Sequence, residues 1–203
     1  NHIASEQVLN EHARDIMDNI AALSLEQSEN FLEVAHGAAA LTERLVNSGV
    51  VGKSRADLER YFLNQLHIYP QFSGIYIGRP DGSMFYVSRV GRTAPGPFRT
   101  KIIEYENGER TTTLRWHSSS MSMVIEEIDP DDTYDPRMRP WYKKAVEKQG
   151  LIWTDPYIFF TSQLPGITTA SPLYDEHGLM EGVIGIDMEI DDLSLFLSRL
   201  RVG

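Results

Sequence analysis

The sequence predicts an α+β fold, in which helices flank an antiparallel sheet. Three observations lead to this prediction. A proline-free stretch with helical periodicity fills residues 1–47. Two pairs of strand-like segments, each joined by a turn rich in Gly, Asn or Asp, come after residue 74. Three further strand-like segments follow a single short helix, and such runs of neighbouring strands are typical of antiparallel sheets.

The N-terminal helix is predicted to be long and to extend beyond its own domain. Apolar or small side chains recur at steps of three and four residues, with one four-residue insertion near Gln27, which is the spacing of a coiled-coil seam with a stutter. At about 1.5 Å per residue this helix would be roughly 65–70 Å long. We expect a stalk that dimerises or transmits a signal; a long amphipathic helix that only covers a sheet is the alternative. The seam consists of Ala13, Ile16, Ile20, Leu23, Phe31, Val34, Ala38, Leu41 and Leu45.

Two shorter helices are predicted within the domain. Ser54 and Asp57 form a capping-box pattern at the start of the first, which Pro70 ends. Pro140 suits the first turn of the second helix, which Gly150 closes. Both helices are therefore bounded by residues that favour helix ends.

Seven strands are predicted around these helices. The turn residues between the first four define two hairpins, and a tight Asp-Glu-His-Gly turn joins the last two strands. A final helix is expected after the last strand. The predicted strands cover residues 74–78, 83–87, 101–106, 110–116, 154–160, 166–174 and 180–190, and the final helix covers 193–200.

Composition excludes several classes of function. The 203 residues include 19 Lys+Arg and 29 Asp+Glu, and the net charge of −10 repels phosphate backbones, so we expect no nucleic-acid partner. The absence of cysteine excludes thiol nucleophiles, disulfides and thiolate metal sites. The six histidines show no ligand-type spacing, and no Gly-x-Ser-x-Gly elbow occurs. We therefore expect no catalytic residues, no metal site and no cofactor.

A cluster of acidic residues in the second half of the chain has two interpretations. Carboxylates crowd ten residues there, and hard cations are bound by such oxygen ligands. The spacing does not match a calcium-binding EF loop, so a solvated acidic loop is the favoured interpretation and an incidental calcium or magnesium site the alternative. The cluster consists of Glu126, Glu127, Asp129, Asp131, Asp132 and Asp135.

The most informative segment covers residues 134–142, where three aromatic rings and two guanidinium groups meet the start of a short helix. An arginine held there, such as Arg139, can bind a carboxylate by two parallel charge-assisted hydrogen bonds. The indole N–H of Trp141 or a neighbouring phenol can complete the contact. The same residues could form a purely structural stack, so the segment alone leaves both interpretations open.

Asp187 lies on a strand whose alternation would place it on the face opposite Ile184 and Ile186. If the isoleucine face is the core, Asp187 faces a pocket or solvent. A carboxylate opposite aromatic rings suits a primary ammonium, which is bound by a counter-charge and by cation–π contact. Tyr157 could add another ring and hydroxyl. A pocket with Arg139 at one end and Asp187 at the other suits a zwitterion.

These segments closely resemble the double Cache family, the PAS-like extracytoplasmic sensor domains of bacterial chemoreceptors, sensor kinases and cyclases. The resemblance covers residues 30–203 and implies a PAS-like antiparallel sheet flanked by helices, with a long N-terminal helix. The matching motifs are the Asp-Pro-Arg-x-Arg-Pro-Trp-Tyr block at 135–142, Ala145, Trp153, Asp155-Pro156-Tyr157, the segment 166–170, the turn 175–178 and the segment 182–187.

The resemblance also implies a set of ligand-binding residues. In the amino-acid-binding branch of the family, an arginine and a tryptophan hold the ligand carboxylate, while tyrosines and an aspartate hold its amine. This agrees with the chemistry expected of the zwitterion pocket. In this sequence the set falls on Tyr134, Arg139, Trp141, Tyr142 and Asp187, with Tyr157 as a further pocket tyrosine.

The resemblance further implies a place within a larger protein. Residues 1–47 would be the stalk helix and residues 48–203 the membrane-distal ligand-binding module, while a second module, transmembrane helices and an output domain would lie outside this sequence. We expect the periplasmic or extracellular portion of a bacterial membrane-anchored receptor, which binds a small amino acid or a related amine or carboxylate and forms a homodimer through the N-terminal helix. A ligand-free dimerising module is the alternative. An enzyme, such as a hydrolase using Asp187 and Glu189, is not expected, because no proton shuttle or oxyanion donor set accompanies them.

Overall fold

The computed structural model of the chain describes residues 7–8, 10–15, 18 and 25–191. Three helices and one 3-10 turn are numbered here within those residues. They are α1 (Leu25–Asn47), α2 (Arg55–Ile68), the 3-10 turn Pro136–Met138 and α3 (Pro140–Lys148). The strands are β1 (Gly74–Gly78), β2 (Met84–Arg89), β3 (Phe98–Glu106), β4 (Glu109–His117), β5 (Met123–Ile128), β6 (Ile152–Trp153), β7 (Tyr157–Ile158), β8 (Pro165–Tyr174) and β9 (Met180–Glu189).

All nine strands of the described residues belong to one antiparallel sheet, which confirms the predicted fold class. Their order is β5-β4-β3-β2-β1-β9-β8-β6, and β7 pairs with β8 beyond this path. The last strand therefore lies in the middle of the sheet, between β1 and β8. The two predicted hairpins are confirmed as β1–β2 and β3–β4.

Strand alternation divides the sheet into two faces of different character. Ile75 and Ile77 on β1, with Ile184 and Ile186 on β9, join the larger core cluster, which also contains residues of α1 and α2. The prediction that the isoleucine face of β9 is the core is confirmed. The opposite face carries Tyr76 and the residues of α3. Helices thus cover both faces, because α3 supplies buried side chains of its own.

The second half of α1 packs on the sheet through a face of small side chains. The predicted seam coincides with this face only in part, because Ala38 is buried whereas Val34 is 38% exposed and Leu41 is 52% exposed. With 3.6 residues per turn, Val34 and Leu41 lie about 100° around the helix axis from Ala35 and Thr42. These two seam residues therefore do not hold the helix on the sheet. The buried face consists of Ala35, Ala39, Thr42 and Val46.

Part of the predicted N-terminal seam and the whole predicted final helix cannot be compared with the structure. The seam positions Ile16, Ile20 and Leu23 and the final helix 193–200 lie outside the described residues. The capping box of α2 is confirmed, since the side chain of Ser54 accepts a hydrogen bond from the backbone of Asp57. Among the helices described, none combines the length and the apolar character that crossing a bilayer requires.

One strand prediction is wrong and one strand was missed, both at the edges of the sheet. The strand expected over 154–160 is reduced to the two-residue strand β7, because Pro156 lacks the N–H that a ladder needs, and β6 lies just before that range. The strand β5 was not predicted at all. All of its residues are exposed and its sequence, Met-Val-Ile-Glu-Glu-Ile, shows no alternation, so only its pairing with β4 defines it.

Glycines on the α3 face of the sheet leave room for aromatic rings. A β-carbon on Gly185 would lie 2.1 Å from Cε2 of Tyr76, and one on Gly74 would lie 2.4 Å from Cε2 of Tyr86. Gly185 pairs with Tyr76 across β9 and β1, so the tyrosine ring lies over the neighbouring strand where no side chain stands. These rings therefore depend on glycine in the strands beside them.

We expect Gly185→Ala to lower the free energy of unfolding by about 1–3 kcal/mol, because the buried ring of Tyr76 has to move to admit a methyl group. Urea denaturation measures the change. Gly37→Ala in α1 is the matched control: its β-carbon meets nothing within 4 Å, so the free energy of unfolding should stay equal or rise by about 0.5–1 kcal/mol. Equal stability of Gly185→Ala and wild type would contradict the close packing of this ring.

Candidate ligand-binding site

A cavity of about 430 Å³ opens on the sheet face that carries α3, a volume within the range of small-molecule pockets. Its floor is formed by side chains of β1, β2, β3 and β9, and its walls by residues 134–141 and 157–164. The structure brings five of the six predicted site residues together here. Tyr134, Arg139, Trp141, Tyr157 and Asp187 line the cavity.

Asp187 forms the negative end of the cavity floor. Its Oδ1 accepts hydrogen bonds from the hydroxyl groups of Tyr76 and Thr168, each at 2.6 Å. The Tyr157 hydroxyl lies 2.6 Å from the same threonine oxygen, so it donates to that oxygen and completes a chain of hydroxyls. Among the described residues, no group donates a hydrogen bond to Oδ2. One carboxylate oxygen is thus held by the protein, and the other is left for a further donor.

Burial sets the ionisation of this carboxyl group. Desolvation raises the pKa of Asp187 to about 7, although the hydrogen bonds from Thr168 and Tyr76 and the charge of Arg139 act to lower it. The same burial raises the pKa of the hydroxyls of Tyr76 and Tyr157 above the usual value, so both remain hydrogen-bond donors. A cation that entered the cavity would favour the ionised form of Asp187.

Arg139 forms a positive end in the wall of the cavity. It is the N-terminal cap residue of α3, and its guanidinium lies 5.7–6.0 Å from the ring centroids of Tyr134, Tyr157 and Phe160. Nη2 donates a hydrogen bond of 3.1 Å to the carbonyl of Ile158. In the part of the chain that is described, no carboxylate forms an ion pair with Arg139. The guanidinium is stabilised by cation–π contacts and not by a carboxylate, so its N–H groups can still donate hydrogen bonds to an anion.

Trp141 and Tyr142 differ in their relation to the cavity. The buried indole of Trp141 lies 4.5 Å from the ring of Tyr76, and its Nε1 donates to the Tyr134 hydroxyl at 3.3 Å. Tyr142, the sixth predicted site residue, does not line the cavity. Its ring contacts Trp141 edge to face at 5.6 Å. The Trp141 N–H therefore orients a neighbouring phenol, and Tyr142 supports the indole.

Sequence reasoning missed several residues of the cavity. Tyr76 and Thr168, which hold Asp187, lie on other strands of the sheet, and their proximity follows from the register of β1, β8 and β9. Phe160 and Arg99 also line the cavity. The position of Tyr76 could have been predicted from the sequence, because strand alternation places it on the face opposite Ile75 and Ile77, which belong to the core.

The acidic cluster is not a uniformly solvated loop, and that interpretation is wrong for Asp132. Its buried carboxylate accepts hydrogen bonds from Lys101, Arg110 and Thr112. Arg110 also donates to the Tyr134 carbonyl at 2.8 Å, and the Lys101 ammonium lies 5.1 Å from the ring of Tyr134. This buried ion pair fixes the start of the cavity wall.

The ionisation of this pair follows from its hydrogen bonds. Burial raises the pKa of Asp132, but the hydrogen bonds from Lys101 and Arg110 outweigh it and leave the pKa below its usual value. Glu126 and Glu127 of the cluster lie on the exposed strand β5. Across the described residues, no three His, Asp or Glu side chains gather closely enough to hold a metal ion.

One family model matches the chain. It describes the first PDC sensor domain of methyl-accepting chemotaxis protein-like proteins, and it matches residues 97–195. The matched segment contains β3 to β9 and with them all six predicted site residues. The cavity walls and the strand that carries Asp187 are therefore part of the matched domain.

Curated relatives with similar sequences are signalling proteins. Adenylate cyclase 1 of Rhizobium meliloti is 29% identical over 143 residues, which cover 66% of this chain and 21% of the relative. The methyl-accepting chemotaxis protein McpG of Pseudomonas putida is 36% identical over 96 residues, which cover 42% of this chain and 15% of the relative. The chain thus spans only 15–21% of the length of these relatives.

A solved structure shares the fold. The ligand-binding domain of the Pseudomonas aeruginosa amino acid chemoreceptor PctC, in complex with GABA, superposes with a TM-score of 0.54 at 18% identity. The superposition covers 96% of this chain and 68% of the other. At this identity the match establishes a common architecture.

Proposed function

We propose that the chain is a PDC sensor domain, the class that the Cache resemblance indicated and whose family model matches residues 97–195, and that its cavity binds a small amino acid or a related amine or carboxylate. One observation carries this proposal. Arg139 and Asp187 are opposite charges that line the same cavity, and neither forms an ion pair with the other or with another described residue. A zwitterion would neutralise both at once.

The amine of such a ligand belongs at Asp187. The carboxylate offers Oδ2 as an acceptor, and the rings of Tyr76 and Tyr157 line the cavity beside it. An ammonium gains from both features, since aromatic faces attract cations and the counter-charge is already desolvated. The hydroxyl chain that holds Oδ1 keeps the carboxylate in place before the ligand arrives.

The carboxylate of the ligand belongs at Arg139. The guanidinium has one hydrogen bond to a carbonyl, so further N–H donors remain for a planar anion. In this proposal Tyr134 and Trp141 form the wall beside the bound carboxylate, and Tyr142 supports Trp141 from outside the cavity. Binding without turnover is proposed. In this proposal Asp187 pairs with the ammonium of the ligand, and its hydrogen-bond partners in the protein are the hydroxyls of Tyr76 and Thr168 rather than a proton shuttle.

The setting of the domain in a larger protein is also a proposal. The matched model describes the first PDC domain of chemotaxis proteins, which supports a membrane-distal module. PctC, which shares the fold, is an amino acid chemoreceptor. We place the domain in the periplasmic or extracellular portion of a bacterial membrane-anchored receptor, whose output the helices next to the sheet would control.

We expect calorimetry with the twenty standard amino acids to detect binding to the wild type, and Arg139→Ala to weaken that binding about 10- to 100-fold, because a charge-assisted hydrogen-bond pair is lost. Arg137→Ala is the matched control. Arg137 is two residues away, pairs with Asp135 on the surface and does not line the cavity, so its loss should leave affinity unchanged. A wild type that gives no heat with any amino acid would contradict the proposal.

Affinity for an amine ligand should depend on pH through Asp187. Its pKa of about 7 in the empty cavity means that below neutral pH a proton must leave before an ammonium binds, so affinity should fall by about tenfold per pH unit below 7 and stay level just above 7.

The contribution of Asp187 to the free energy of unfolding should change with pH in the opposite direction to the affinity. The folded state holds the proton more tightly than the unfolded state, so this contribution rises as pH falls from about 7 to about 4.

Calorimetry between about pH 5.5 and about pH 8, with the free energy of unfolding measured at each pH, tests this prediction. Asp187→Asn is the control, because an amide cannot titrate in this range. Its residual binding should show no step near neutral pH. An affinity of the wild type that does not change across the range would contradict the assigned role of Asp187.

A homodimer through α1 is proposed as well. The seam face is apolar and uncovered at Val34 and Leu41, although the adjacent face of the same helix is buried on the sheet. An apolar stripe at coiled-coil spacing is typical of a helix that pairs with a second copy.

We expect Leu41→Glu to weaken self-association of the 203-residue chain at least about tenfold in analytical ultracentrifugation, because a charge would enter the seam. Val50→Glu is the control, since Val50 is an apolar residue beyond the end of the helix that is even more exposed than Leu41. A wild type that stays monomeric at the highest concentration reached, or a Leu41→Glu variant that associates as strongly, would rule out this interface.

A further inference from the structure

We propose that the cavity carries a third charged subsite, at Arg99, which selects amino acids with an acidic side chain. This inference rests on the proposed function, because it assigns the end of the ligand that Arg139 and Asp187 do not hold. Arg99 lies on β3 and lines the cavity together with Ser88 of β2.

The subsite follows from the register of four adjacent strands. Asp187 of β9 pairs with Gly74 of β1, Gly74 pairs with Ser88 of β2, and Ser88 pairs with Arg99 of β3. Residues directly opposite one another in a sheet point to the same face. Asp187 and Arg99 therefore stand on one row of the cavity floor, with three strand spacings of about 4.8 Å, or roughly 14 Å, between their Cα atoms.

The row between the two charges has no large side chain of its own, but a ring from the next row covers part of it. Gly74 has no side chain and Ser88 has a small one, and the ring of Tyr86 lies over Gly74, where a β-carbon would be 2.4 Å from its Cε2. On the next row toward α3 the large side chains of Tyr76 and Tyr86 pair with each other. The floor thus has a carboxylate at one end of the row and a guanidinium at the other, with the ring of Tyr86 between them as part of the surface that a ligand would contact.

One N–H donor of the guanidinium at the far end lacks a hydrogen-bond partner among the described residues. Nε of Arg99 is buried and no hydrogen bond to it is made, and within the described residues no carboxylate pairs with this side chain. Buried N–H groups are satisfied in the great majority of cases, so this donor calls for an acceptor from outside the chain. Arg89, which also lines the cavity, differs because its guanidinium donates to the carbonyls of Phe72 and Tyr69 at 2.8 and 3.0 Å.

The charges along the cavity support an acidic group at this end. Three arginines, Arg89, Arg99 and Arg139, line it against two carboxylates, Asp187 and Glu189. An amino acid with a neutral side chain would leave one positive charge in excess, whereas an additional carboxylate would balance it. The two carboxylates that line the cavity both lie on β9. An acidic side chain of the ligand is therefore repelled from the β9 end of the cavity and attracted toward the β3 end.

The test compares ligands of equal shape and different charge. Calorimetry is run with L-glutamate against L-glutamine and with L-aspartate against L-asparagine, on the wild type and on Arg99→Gln, Arg99→Lys and Arg92→Gln. The wild type should bind the acidic member of at least one pair about tenfold more tightly or better, which corresponds to one charge-assisted contact. Arg99→Gln should remove this preference and leave the affinity for the neutral member within about twofold.

The other two variants are controls for charge and for folding. Arg99→Lys keeps the positive charge and should retain part of the preference. Arg92 lies in an exposed loop and does not line the cavity, so Arg92→Gln should behave as wild type. Circular dichroism checks that each variant is folded, and the comparison of paired ligands on the wild type requires no variant at all.

The outcomes separate this inference from the proposed function. If neutral and acidic ligands bind the wild type equally, or if Arg99→Gln weakens both members of a pair alike, the Arg99 subsite is overturned and amino-acid binding stands. If no amino acid binds the wild type, the proposed function fails and the subsite fails with it.

Discussion

The site depends on one buried carboxylate that is held on one oxygen only. The hydroxyls of Tyr76 and Thr168 both donate to Oδ1 of Asp187. These bonds come from β1 and β8, the two strands that flank β9, so the position of the carboxylate is set by the sheet rather than by a loop. Because a desolvated charge in a fixed place interacts strongly with an opposite charge, the cavity is prepared for a cation before one arrives.

The cavity wall is fixed by a second buried carboxylate, Asp132, which is ion-paired and does not line the cavity. Asp132 ties the segment before the 3-10 turn to Lys101 and Arg110 of the β3–β4 hairpin. Arg110 also holds the backbone of Tyr134, and this ring in turn lies beside Arg139. The wall and the floor are therefore anchored to the same sheet by independent contacts.

The sequence predicts most of the sheet, and it predicts the site only where a motif or an alternating strand marks it. Asp187 and Arg139 were found because one lies on an alternating strand and the other lies among aromatic side chains at the start of a short helix. Tyr76 and Arg99 carry no motif, and their place in the cavity follows from strand pairings between residues far apart in the chain. Strand β5 has no periodicity because neither of its faces is buried. Asp132 was grouped with solvated neighbours, since burial of one carboxylate among six is decided by long-range packing.

The helix α1 and the cavity use opposite sides of the same two strands. Thr169 and Ile186 face α1, where His36 of that helix contacts Thr169 at 3.1 Å, while the adjacent Thr168 and Asp187 face the cavity. The helix rests there mainly on alanine and threonine side chains, which interlock little with the surface below. A displacement of β8 and β9 at Asp187 would therefore reach the helix across the thickness of a single sheet, through contacts such as that of His36 with Thr169.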